Sequence, residues 1–106
     1  MGKHVMAKQN FCRLKFDDES MNNGILSQKS IDLDIIKDKI KRSKTKVVAL
    51  NMSNVQFMDS GAVVMIVAIH KYCKRLTKQF VIEKPQKTVK DLLHIINLDR
   101  AIPIVD

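Results

Sequence analysis

The segment Phe11-Cys12-Arg13-Leu14-Lys15-Phe16 partly alternates apolar and polar residues, the period-two pattern of a strand with one buried face. Asp17-Asp18-Glu19-Ser20 reads as a turn, and residues 21–26 are expected to return as a second strand through Asn22-Asn23-Gly24. The period then changes. Leu33, Ile36 and Ile40 recur at three- and four-residue spacing with Ile35 beside them, which gives a helix one apolar face to lay on a sheet. Ser30 is the expected cap, Asp32 and Asp34 follow it, and Lys37, Lys39, Lys41 and Arg42 gather toward the end. That order of charges suits the helix dipole and predicts a helix over residues 30–42.

Val47-Val48-Ala49-Leu50 is a continuous apolar run, as a strand buried on both faces requires, and belongs in the middle of the sheet. Residues 62–69 are β-branched enough to favour a strand by local propensity. Helix is nevertheless predicted: Asp59 and Ser60 are good caps, Ala62, Ile66, Ile69, Cys73 and Leu76 continue one face, and Lys71, Lys74 and Arg75 close it. Phe80-Val81-Ile82 makes another buried strand, stopped by Pro85. Thr88-Val89-Lys90-Asp91 resembles a capping box before Val89, Leu92, Leu93 and Ile96, and Asn97 ends that helix. Residues 102–105 add a last strand that Pro103 confines to an edge. The expected fold class is therefore α/β, with a mixed four- to five-stranded sheet, helices packed against it, and residues 47–50 parallel to residues 80–82.

With 106 residues, 45% of them hydrophobic and 28% charged, the chain is expected to form a single domain around one core. The longest apolar run, residues 62–69, is far short of the roughly 20 residues of a membrane-spanning helix. Lys8, Gln9 and Asn10 interrupt any signal-peptide-like block, and Ala7 stands where a myristoylation signal at Gly2 needs Ser or Thr. A cytoplasmic location follows as the expectation. The net charge of +8 raises nucleic acid as a partner, but one Tyr, four Phe and no Trp leave no basic stretch interleaved with stacking aromatics. Acidic protein surfaces suit this field better. Cys12 and Cys73 lack disulfide or ligand spacing and are expected to be reduced thiols packed as small hydrophobes. His70 and Cys73 are three apart without further local ligands, and His4 and His94 have no triad-like context. No metal, nucleotide or other cofactor is expected, nor an enzymatic activity.

The segment Val47-Val48-Ala49-Leu50-Asn51-Met52-Ser53-Asn54-Val55-Gln56-Phe57-Met58-Asp59-Ser60-Gly61 resembles the core signature of the STAS family, the sulphate-transporter and anti-sigma-factor-antagonist domain. Gly24-Ile25-Leu26 with Ser30 resembles that family's turn before its first helix, and Asn97-Leu98-Asp99-Arg100-Ala101-Ile102-Pro103-Ile104 resembles its closing segment. The three pieces lie in register with the expected elements between them. The resemblance implies a non-enzymatic protein-interaction switch whose partner, an anti-sigma kinase, docks at the Asp59/Ser60 surface and phosphorylates Ser60. Phe57, Met58, Asp59, Ser60, Gly61, Lys84 and Lys87 are the expected partner-binding residues. Gly61 replaces the hydroxyl residue common in sigma-regulatory members, and in this the chain resembles the small STAS subunit of bacterial phospholipid-transporting ABC complexes. The alternative function is thus a subunit that binds and steadies the ATPase of such a transporter.

The residues at position 60 also allow a plainer role. A serine opening a helix accepts a hydrogen bond from a first-turn N–H, and a cap needs no further function. A phosphate there would meet the same free N–H groups while adding about −1.5 to −2 charge beside Asp59.

Overall fold

In a computed structural model, residues 11–106 are described. The strand over residues 11–16 forms as β1 (Cys12–Lys15), with Cys12 and Leu14 buried and Arg13 and Lys15 exposed. Tertiary burial settles the rest of the pattern. The sheet is ordered β1, β3 (Val47–Asn51), β5 (Gln79–Glu83) and β6 (Ile104–Val105), and β3 lies centrally as expected. Cys12, Val48 and Phe80 stand in one row across it, and Leu14, Leu50 and Ile82 in the next, all buried. This face meets Ala62, Ile66, Ile69 and Cys73 of α2 (Ser60–Arg75), none of which is accessible to solvent. Four residues buried at helical spacing override the strand propensity of residues 62–69.

Helix α1 (Leu33–Arg42) packs on α2, and α3 (Lys87–Ile95) sends Val89 and Leu93 into the same core. On the opposite face of the sheet Arg13 reaches across β3, where Ala49 stands in register, and its Nε donates to Glu83 Oε1 at 3.0 Å. That pairing satisfies Glu83, the one buried charged residue among those described.

Several expectations change. Residues 21–26 do not return beside β1: only β2 (Ile25–Leu26) is a strand, and it pairs in parallel with β4 (Phe57–Met58). The reason is local, because Asn23 and Gly24 take left-handed conformations and Ile25 N–H closes on Asn22 O at 3.0 Å, which redirects the chain. Among the described residues every paired strand is parallel, so the mixed character expected of the sheet is not found there. Ser30 does not cap α1. It ends a separate 3-10 turn, Gln28–Ser30, and Asp32 caps the helix by accepting from Ile35 N at 3.2 Å. Helix α3 opens at Lys87 without a capping box, after Gln86, and Asn97 stops it in a left-handed conformation as expected. Residues 102–105 shrink to the two of β6, which lies at the sheet edge. The expectations about His4, Gly2 and the first ten residues fall outside the described residues.

Candidate functional site

Strands β2 and β4 set the site. Leu26 and Met58 are paired and buried, and Asp59 N–H donates to Leu26 O at 3.0 Å. The next residues along the two strands, Ser27 and Asp59, therefore leave the pair side by side. Asp59 has extended backbone, and its Oδ1 accepts from Ala62 N at 2.9 Å, so the aspartate is the N-cap of α2. Ser60 is the first residue inside the helix, exposed, and makes no side-chain hydrogen bond among the described residues. Of the two cap residues expected there, Asp59 takes the role and Ser60 does not. The carboxylate already occupies the first-turn donor, which leaves the serine hydroxyl free.

Gly61 is held close to the turn ahead of α1. A Cβ at this position would lie 3.1 Å from Gln28 Cβ and 3.4 Å from the capping Asp59 Oδ1. Phe57 is half exposed, whereas Met58 lies in the core and supports the surface from beneath, at the floor of the hollow between α2 and α3. Lys84 lies on the segment leading from β5 into α3 and Lys87 is the first residue of α3, both on the carboxyl edge of the sheet. There Gln86 Nε2 donates to Ser53 O at 2.8 Å, which ties that segment to the beginning of the loop after β3. Lys84 is exposed, and Lys87 Nζ pairs with Asp91 Oδ2 at 2.9 Å, a hydrogen bond that raises the pKa of this ammonium. Neither lysine lines the hollows next to Ser60.

Asp59 borders two such hollows. One, about 830 Å³, has a mixed lining and is bounded by Asn22, Ile25, Ser27, Gln28 and Lys29. The other is apolar, about 600 Å³, and runs from Phe57 and Ser60 between α2 and α3, past Val64 and Val67 on one side and Leu92 and Ile96 on the other. Sequence reasoning missed the second. Its signal was present, since Val63, Val64 and Val67 are apolar yet lie off the stripe of Ala62, Ile66, Ile69 and Cys73.

Cys73 is fully buried, and burial, with a smaller contribution from Cys12 and against the pull of Lys78, pushes its thiol up to about 11. It stays protonated and unreactive at neutral pH. Burial, and then Lys74, lowers the pKa of His70, whose ring lies 6.2 Å from that of Phe80. His94 Nδ1 pairs with Asp99 Oδ2 at 2.9 Å. Among the described residues no three metal-ligating side chains converge, and no helix is long and apolar enough to cross a membrane.

Residues 24–106 match the family model of the STAS domain, which takes in β2 and every element after it. The chain belongs to the STAS family. Solved structures agree with the assignment. A candidate anti-sigma factor antagonist from Thermotoga maritima is 26% identical, with a TM-score of 0.59 over 70% of this chain and 67% of that one. The anti-sigma factor antagonist SpoIIAA in its unphosphorylated form superposes with a TM-score of 0.62 at 16% identity, over 91% of this chain and 78% of its own. A sulfate transporter family protein from Wolinella succinogenes gives 0.65 at 11% identity, over 91% and 76%. The last two share the fold. A STAS fold of the anti-sigma-antagonist type supports a regulatory role exercised through protein interaction.

Proposed function

We propose that this STAS protein is a non-enzymatic, cytoplasmic switch that docks a regulatory partner of the anti-sigma kinase type and is released from it by phosphorylation of Ser60. One observation carries the reading: the Ser60 hydroxyl is exposed and free at the head of α2 because Asp59 has taken the cap. A phosphate on Ser60 competes with the Asp59 carboxylate for the first-turn N–H groups and repels it, so modification alters the surface without dismantling the core. Phe57, Asp59, Ser60 and Gly61 form the contact, and Lys84 and Lys87 extend it as a basic margin for acidic groups. The likeness to anti-sigma factor antagonists supports the class of partner.

The test begins with the partner that co-purifies from the native cell. Ser60→Asp is expected to weaken its binding at least about tenfold with an unchanged circular dichroism spectrum, and Lys84→Glu with Lys87→Glu to weaken it less. A histidine-kinase-like ATPase in the purification, and a phosphate on Ser60 found by mass spectrometry, belong to the same outcome. Unchanged affinity in both variants, with the partner's footprint elsewhere, would overturn the proposal. A second reading, a subunit steadying the ATPase of a lipid-transporting ABC complex, is favoured by Gly61 and by the apolar hollow beside Ser60, which suits a lasting contact. An ABC ATPase that co-purifies and ignores Ser60→Asp selects it.

A further inference from the structure

We infer that the exposed face of α2 is a self-association surface, on which a second copy of this chain lays its own α2 in the opposite direction. The face runs from Ser60 through Val64 and Val67 to Lys71, which share one side of the helix. Val64 is 66% exposed, and Val63 and Ala68 flank the stripe. Its middle is therefore apolar and built of small side chains, which lets two helix axes approach closely. Phe57, 47% exposed, and Ile96, 40% exposed, widen it into the hollow at the Ser60 end.

The charges stand at the two ends. Asp59 is exposed at the head of α2, and the hydrogen bond that it accepts from Ala62 N leaves its carboxylate charge in place. Lys71 is exposed at the other end, about 16 Å from Ser60 at ~1.5 Å per residue. Neither forms an ion pair among the described residues, whereas Lys87 and Asp91 nearby pair with each other. An acid at one end, a base at the other and apolar side chains between make the stripe complementary to its own reversal. A two-fold axis passing between Met65 and Ile66 sets Ser60 against Lys71 of the second copy, Val64 against its Val67 and Val63 against its Ala68, and repeats each contact in the other direction. Asp59 then comes within reach of the same lysine. Any other occupant must bring a base to Asp59 and an acid to Lys71 at this spacing, and the reversed copy supplies a base at one end and an acid at the other. The net charge of +8 opposes encounter at long range. At about 0.15 M salt, however, screening confines such forces to ~8 Å, so the groups at the contact decide.

A contact of three helical turns falls short of the roughly 800 Å² per partner of a standard interface, so the dimer exchanges with monomer and is read by its dependence on concentration. The experiment is sedimentation equilibrium of the purified full chain at physiological salt, up to millimolar protein. The parent is expected to pass from monomer to dimer. Lys71→Glu sets a carboxylate opposite Asp59 at both ends and should raise the dimer Kd at least about tenfold with an unchanged circular dichroism spectrum. Asp59→Asn keeps a capping side chain while removing its charge, and in that background Lys71→Glu should cost less than about threefold. Within one chain the two positions lie beyond the screening length, so such coupling reports contact between copies. A monomer at every concentration overturns the inference and leaves the groove to another occupant. A dimer indifferent to Lys71→Glu, or one weakened equally in both backgrounds, overturns it as well. Self-association is measured without any partner or phosphate, so its failure leaves the Ser60 switch standing, and the failure of the switch leaves the dimer.

Discussion

Two serine-bearing turns leave the paired strands β2 and β4 side by side, Leu26 running into Ser27 and Met58 into Asp59. In the first, the serines satisfy each other: Ser27 N–H donates to Ser30 Oγ at 3.1 Å, and the two hydroxyls stand 3.4 Å apart. In the second, Asp59 caps the helix and Ser60 is left with no partner among the described residues. The residue types are alike and the outcomes differ, because a carboxylate one position earlier takes the donor that a serine would otherwise hold. A hydroxyl becomes available for modification where a neighbour has relieved it of structural work, and Ser60 meets that condition while Ser30 does not.

The largest expected effect comes from removing what holds both turns in register. Leu26→Ala, at a site with no solvent exposure and paired with Met58, is expected to destabilise the protein by about 2–5 kcal/mol in urea unfolding. A loss below ~1 kcal/mol would mean that the two turns do not depend on the β2–β4 pair.

Next in size is the contrast within the second turn. Asp59→Ala should cost about 1 kcal/mol, in the range of lost N-caps, and Ser60→Ala no more than about 0.5 kcal/mol, as for an exposed residue without a partner. Equal losses in the two variants would return Ser60 to the role of a cap and weaken the case for its modification. Ser30→Ala, which removes a hydroxyl engaged with Ser27, is expected to fall between them at roughly 0.5–1 kcal/mol.

Much of the fold was legible in periodicity. The central strand, its parallel partner and the buried stripe of α2 follow from the runs at Val48, Phe80 and Ile66, since burial on a sheet face or a helix stripe imposes a fixed repeat. The strand pairing of residues 25 and 26 was not legible, because it depends on β4 arriving from 32 residues later. At the site, Asp59 and Ser60 were both recognised as cap-type residues, but local sequence does not say which of two adjacent capping side chains reaches the N–H. That depends on Asp59 being held extended by its bond to Leu26 O. The groove beside them escaped notice because Leu92 and Ile96 read as an inward face. Ile96 in fact lies past the end of α3, at its C-cap, and is 40% exposed.

The smallest expected effect concerns the contact that joins the two turns. Glycine at a helical position ordinarily yields up to about 1 kcal/mol when replaced by alanine. At Gly61 the added Cβ would stand 3.1 Å from Gln28 Cβ, closer than ordinary carbon contacts, so the gain in helix propensity is offset by displacement of the neighbouring turn. Gly61→Ala alone should therefore lie within about 0.5 kcal/mol of the parent. In a Gln28→Gly background the clashing carbon is gone, and the nearest atoms, Asp59 Oδ1 at 3.4 Å and Gln28 N at 3.5 Å, are tolerable. There Gly61→Ala should stabilise by about 0.5–1 kcal/mol relative to Gln28→Gly itself. Unfolding of the four proteins closes the cycle, and strict additivity would show that the turns do not press on one another. Coupling would explain in steric terms why this chain carries glycine beside Ser60: a hydroxyl residue at position 61 is larger still and presses further on the turn ahead of α1.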